Sequence, residues 1–165
     1  MDRHAPLHCF RKHCAGAGIH AQEIFEKFAR HGVIDANHLL EQIKILKSIP
    51  CVLEEFVLKY DAGSISALEY ASFITGTIDE IRKMRQEALS WIPAIRQVSS
   101  SDTLELWQKD YIQEINEYAG ELWQMEKHMS EYLADFLVKE KQNMSEQEIK
   151  QIGRRLAEVI RPTSQ

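Results

Sequence analysis

The sequence predicts an all-α protein, an elongated helical bundle built on a long antiparallel helical hairpin. Three observations carry that expectation. From Asp102 to Gln142 there is no proline and Gly120 is the only glycine, so little in the stretch interrupts a helix. Within it Tyr111, Ile115, Tyr118, Leu122, Met125, Met129, Tyr132 and Phe136 recur in alternating steps of four and three, a heptad held for nearly four repeats. Capping-box pairs mark further helix starts: Ser66 with Glu69, Thr77 with Glu80, and Ser145 with Glu148.

A helix of about 40 residues at ~1.5 Å per residue reaches about 60 Å. A compact domain of this mass is narrower, so another element must run alongside it. With Tyr111, Tyr118, Met125 and Tyr132 at d, and Ile115, Leu122, Met129 and Phe136 at a, the e positions hold Ile112, Ala119, Glu126 and Leu133. The g positions hold Trp107, Glu114, Glu121, His128 and Asp135, and the b positions Asn116, Trp123, Ser130 and Leu137. A two-stranded coiled coil keeps e and g charged. Here the apolar arc spreads over a, d, e and part of b, which suits packing by two or more neighbours. The rest of the helix is acidic, with ten Asp/Glu against four Lys/Arg over residues 102–142.

Taken in order, residues 1–18 lack a clear period, contain Pro6 and end in Gly16 and Gly18, and are expected to form a flexible arm. Residues 19–31 place Ile24, Phe25 and Phe28 on one helical face, and Gly32 stops that helix. Asp35 caps a helix over 36–47, Pro50 breaks the chain, and a third helix follows over 51–60. Residues 19–65 thus read as a short-helix subdomain. A helix from Ala67 runs towards Val98, with Pro93 placed to kink or end it. Ser101 or Asp102 caps the long helix, and a last helix over 146–161 buries Ile149, Ile152 and Leu156. Residues 66–161 form the long hairpin plus the C-terminal helix.

The segment Tyr60…Gly63-Ser64-Ile65-Ser66 resembles the EF-hand helix–loop–helix in outline, and Glu69 stands at the place of its closing glutamate. The acidic ligand places hold Leu58, Tyr60 and Ala62, so the resemblance implies hairpin geometry and no calcium site. Residues 25–47 can also be drawn as a helix–turn–helix with Asn37 and Gln42 on the reading helix.

The 165 residues suffice for one domain with a real core, at 44% hydrophobic and 27% charged residues. A net charge of −5 argues against phosphate-backbone binding, so nucleic acid is an unlikely partner. No apolar run is long enough to cross a membrane, and no secretory signal is visible. Three cysteines cannot form a complete disulfide framework, which fits a cytoplasmic location. Cys51, following Pro50 and preceding Val52 and Leu53, reads as a buried structural thiol.

The candidate metal ligands are His4, His8, Cys9, His13 and Cys14, since pairs four apart share a helical face. No second ligand pair follows at zinc-finger spacing. His128 lies near Glu121, Glu131 and Asp135 in sequence, which would raise its pKa. Arg82, Lys83 and Arg85 are expected to face the acidic g row. No phosphate loop, nucleophile elbow or metalloprotease motif is present, and no cofactor is expected. The expected function is a non-enzymatic protein–protein interaction module, of the adaptor, chaperone or assembly-factor kind, using a partner or a second copy. Trp107, Trp123 and Leu137 are its expected anchors, tryptophan being enriched where partners bind. The alternative is a helical DNA- or metal-binding regulator acting through residues 1–47.

Overall fold

The computed structural model describes residues 5–98 and 103–160. The fold is the expected all-α bundle, with five α-helices and no strand among the described residues: α1 (Ala5–Phe28), α2 (Ala36–Asp61), α3 (Ala67–Gln97), α4 (Leu106–Lys139) and α5 (Glu146–Ile160). The first four run up, down, up and down. The long helix α4 packs between α1 and α3, α2 lies against α1 and α3, and α5 lies on α3.

All eight heptad positions named on α4 are buried, from Tyr111 to Phe136. So are Ile112, Ala119, Glu126 and Leu133 of the e row, because α4 has two long neighbours. The hairpin of α3 and α4 is closed by one side chain. Gln108 is fully buried, its Nε2 donates to the Ile95 carbonyl at 2.8 Å, and its Oε1 accepts from the Glu105 amide at 2.8 Å. A carbonyl at the end of α3 and an amide at the start of α4 are thereby satisfied together. Helix α4 begins at Leu106, four residues after the expected start, and ends at Lys139. The expected caps Ser101 and Asp102 lie outside the described residues.

Residues 5–18 are not a flexible arm. They belong to α1, and the expected boundary at residue 18 falls inside that helix. Leu7, Phe10, Cys14, Ala17, Ala21, Ile24 and Phe28 are all buried, in steps of three and four. Three of the seven are Cys or Ala, and such small side chains let two helices approach closely. The burial outweighs Gly16 and Gly18, each costing about 1 kcal/mol of helix propensity.

Pro50 does not end a helix either. Helix α2 runs through it from Ala36 to Asp61, replacing the two short helices expected there. Leu39, Ile43, Leu46, Ile49 and Leu53 are buried in one continuous row. Proline at 50 leaves the Leu46 carbonyl without its intrahelical donor. The Cys14 thiol of α1 donates to that carbonyl at 3.4 Å. At Pro93, inside α3, the carbonyl so affected is that of Leu89, an exposed residue in reach of water.

The turns follow their chemistry. Asp35 caps α2 by accepting from the Asn37 amide, and Ser66 and Glu69 form the capping box of α3. Gly32 and Gly63 adopt φ of 66° and 74°, a left-handed conformation open to glycine at little cost. Thr77, the alternative helix start, sits in mid-helix and donates to the Phe73 carbonyl. At one end of the bundle Tyr60, Tyr70 and Phe136 pack ring against ring, and the Tyr70 and Tyr132 hydroxyls hydrogen-bond at 2.8 Å. At the other end Phe28 stacks on Tyr111.

Candidate functional site

Two features stand out on the helix surfaces. The first is a polar seam between α1 and α4. The g row of α4 faces the histidines of α1 and of the short 3-10 turn that follows it (Ala29–His31), α1 and α4 running antiparallel. His31 stacks on Trp107 at 4.0 Å between ring centroids. His20 Nδ1 lies 2.8 Å from Glu114 Oε1, and His13 Nδ1 lies 2.8 Å from Glu121 Oε2. The His13 ring also stacks on His128. Gly16 keeps this level open, since a Cβ there would stand 2.8 Å from Glu121 Oε2.

The expected pairing of the g row with Arg82, Lys83 and Arg85 is therefore not formed. Arg85 instead binds Glu126 of the e row, through Nη2 at 3.1 Å and Nε at 3.3 Å. Lys83 pairs with Asp79 on its own helix. Arg82 is buried. The e row is the side of α4 that meets α3, and the g row is the side that meets α1.

At the level of His20 the seam gathers charge. His20, Glu23 and Glu114 form a group in which one ligand atom of each lies within 4.8 Å of the others, the single such group of three or more His, Cys, Asp or Glu among the described residues. Burial pushes the Glu114 carboxyl above its usual range, the His20 hydrogen bond opposing it. Glu23 is held below its usual range by a hydrogen bond from Glu114 and by Lys27. The His128 pKa is lowered, not raised, because its partial burial outweighs the attraction of Glu131.

The N-terminal ligand set does not come together. His8 and Cys9 are exposed, His13 turns to Glu121, and Cys14 turns into the core towards Leu46. On a helix, neighbouring residues point about 100° apart, which spreads these side chains over several faces. Burial pushes the Cys14 thiol up to about 11, away from the thiolate a metal needs. His4 lies outside the described residues. Cys51 is exposed in the middle of α2, contrary to the expected buried thiol.

The second feature is an apolar groove of about 610 Å³ between α1 and α2. Ala15 and Gly18 of α1 are too small to fill the space against Ile43, Leu46 and Pro50 of α2, and Ile19 stands at the rim, 61% exposed. Arg11 and Lys47 lie at one end of the groove and Glu23 at the other.

The expected anchors are dispersed. Trp107 is half-buried, stacked on His31, and its Nε1–H donates to Glu105 at 2.6 Å. Leu137 is half-buried against the core. Trp123 alone is exposed, with the Lys127 ammonium 5.6 Å from its ring centroid. Gln42, a candidate adenine reader, is buried. It accepts from the Tyr118 hydroxyl at 2.6 Å and donates to Glu87 at 3.2 Å, so it has no surface to offer a base. No helix among the described residues is long and apolar enough to cross a membrane.

No protein-family model, curated protein or solved structure matches the chain.

Proposed function

We propose that the protein is a non-enzymatic interaction module that receives an amphipathic helix of a protein partner in the α1–α2 groove. The observation that carries this reading is the groove itself. It is apolar along its floor and follows α1 for about three turns and α2 for about two. It is basic at one end (Arg11, Lys47) and acidic at the other (Glu23). Helix-in-groove recognition uses such a surface, with anchors at i, i+3, i+4 and i+7. The charged ends set the direction of the guest: its acidic end meets Arg11 and Lys47, where its carboxyl-terminal dipole is also favoured. The reading places the protein in a reducing cytoplasmic setting, in which Cys9 and Cys51 remain exposed thiols.

Gly18→Leu tests it. Gly18 lines the groove and nothing lies within 4 Å of a Cβ built there, so the position has room for a side chain to begin. Affinity capture is run with wild type and Gly18→Leu, and hydrogen exchange maps the captured partner's footprint. The expected outcome is a partner lost from the variant whose footprint covers α1 and α2. A partner held equally by the variant, or one protecting α4 around Trp123, would refute the groove as the site.

A further inference from the structure

We propose that His20, Glu23 and Glu114 form a binding site for a first-row divalent metal ion, with Glu117 as an additional carboxylate. This goes beyond the groove reading and does not depend on it. The imidazole and one carboxylate come from a single face of α1, because His20 and Glu23 are three residues apart. Glu114 reaches across from α4. His20 Nδ1 stands 2.8 Å from Glu114 Oε1 and 3.8 Å from Glu117 Oε2. One imidazole therefore faces three carboxylates.

The contrast with the next level of the seam is informative. Seven residues away on each helix, Glu121 meets His13, and a second imidazole, His128, fills the remaining side. There each ring has one carboxylate, His13 that of Glu121 and His128 that of Glu131 at 3.9 Å. At His20 a single ring meets several carboxylates. Lys27 Nζ approaches Glu23 Oε2 only to 3.8 Å, from an exposed position. Two carboxylates this close repel each other, and a divalent ion would neutralise both with two charges.

The donor set selects the ion. One imidazole nitrogen and two or three carboxylate oxygens suit zinc, manganese, iron or cobalt. Around a tetrahedral ion with bonds of about 2.0–2.1 Å, ligand atoms stand about 3.4 Å apart. The present spread of up to 4.8 Å closes by rotation of the two glutamate side chains, Glu23 being the more exposed.

Cobalt(II) and then zinc(II), added to the full chain, test the site. The expected result is one ion per chain. Cobalt should give visible d–d bands and no thiolate charge-transfer band, and zinc should displace cobalt from the same site. Glu114→Gln and His20→Gln should each weaken binding by at least about tenfold. Cys9→Ser should leave it unchanged. Circular dichroism of the metal-free variants checks the fold, and Glu23→Gln, at a more exposed position, serves if Glu114→Gln disturbs it. Two results would overturn the proposal: affinity in wild type no higher than in Glu23→Gln and Glu114→Gln, or a thiolate band that disappears in Cys9→Ser.

Discussion

Cys14 is expected to stabilise the fold mainly because Pro50 is there. The thiol supplies the donor that the proline removes from the Leu46 carbonyl, at 3.4 Å. Cys14→Ala loses about 1 kcal/mol for the buried sulfur atom. It also leaves a buried carbonyl without a donor, a loss of about 1–3 kcal/mol. A thiol is a weak donor, so the lower half of that range applies and the total is about 2–3 kcal/mol. For a chain of this size that lowers Tm by about 5–10 °C. Pro50→Ala restores the amide donor and removes a proline from a helix interior, worth about 3 kcal/mol before the lost ring contacts. In the Pro50→Ala background Cys14→Ala should then cost only about 1 kcal/mol. The assay is a double-mutant cycle by urea unfolding, followed by far-UV circular dichroism. The reasoning predicts a coupling of about 1–2 kcal/mol. A coupling below about 0.3 kcal/mol would show that the carbonyl does not depend on Cys14, and the account of α2's continuity would fall.

Thiol titration of the native protein should modify Cys9 and Cys51 readily at neutral pH. Cys14, held protonated up to about 11, should react only on unfolding. Arg85→Met should destabilise by about 2–4 kcal/mol, because Glu126 is left nearly buried without its cation, and Arg85→Met with Glu126→Leu should recover most of that loss in thermal melts. His128 has its folded pKa lowered by burial, so the unfolded chain binds the proton better. Its contribution is present above the unfolded value near 6.5 and is lost as pH falls below it. Consequently His128→Gln should lose less Tm than wild type between pH 7.5 and 5. Trp123→Ala should leave the melting curve within about 0.5 kcal/mol of wild type, as suits an exposed side chain.

The core was largely legible in the sequence because its strongest signals are local. The heptad from Tyr111 to Phe136 names eight buried residues of α4, and Ser66, Glu69 and Asp35 cap the helices they were expected to cap. The misjudged elements have physical causes. Helix α1 spells its heptad partly in Cys14, Ala17 and Ala21, which are weak in hydrophobicity but right in volume for close approach to α4. Pro50 is an authentic local breaker, overridden by a row of Leu46, Ile49 and Leu53 and by a thiol donated from another helix. No window of sequence around Pro50 contains Cys14.

The site residues depended on a choice the sequence leaves open, namely which neighbour takes which side of α4. The basic cluster on α3 and the histidines of α1 are both suitable partners for an acidic g row. Repeat length discriminates between them. Glu114 and Glu121 are seven apart, and so are His20 and His13, so two antiparallel helices in heptad register bring both pairs together at once. Arg82, Lys83 and Arg85 fall within four residues and can engage only one level, and Arg85 meets Glu126 on the opposite flank of α4. The seven-residue match is therefore present in the chain. Metal-ligand spacing obscures it, because it groups His13 with Cys9 and Cys14 where the helix groups it with His20. On that seam Glu114 engages His20 and stands beside Glu23, a juxtaposition that only the packing of α1 on α4 creates.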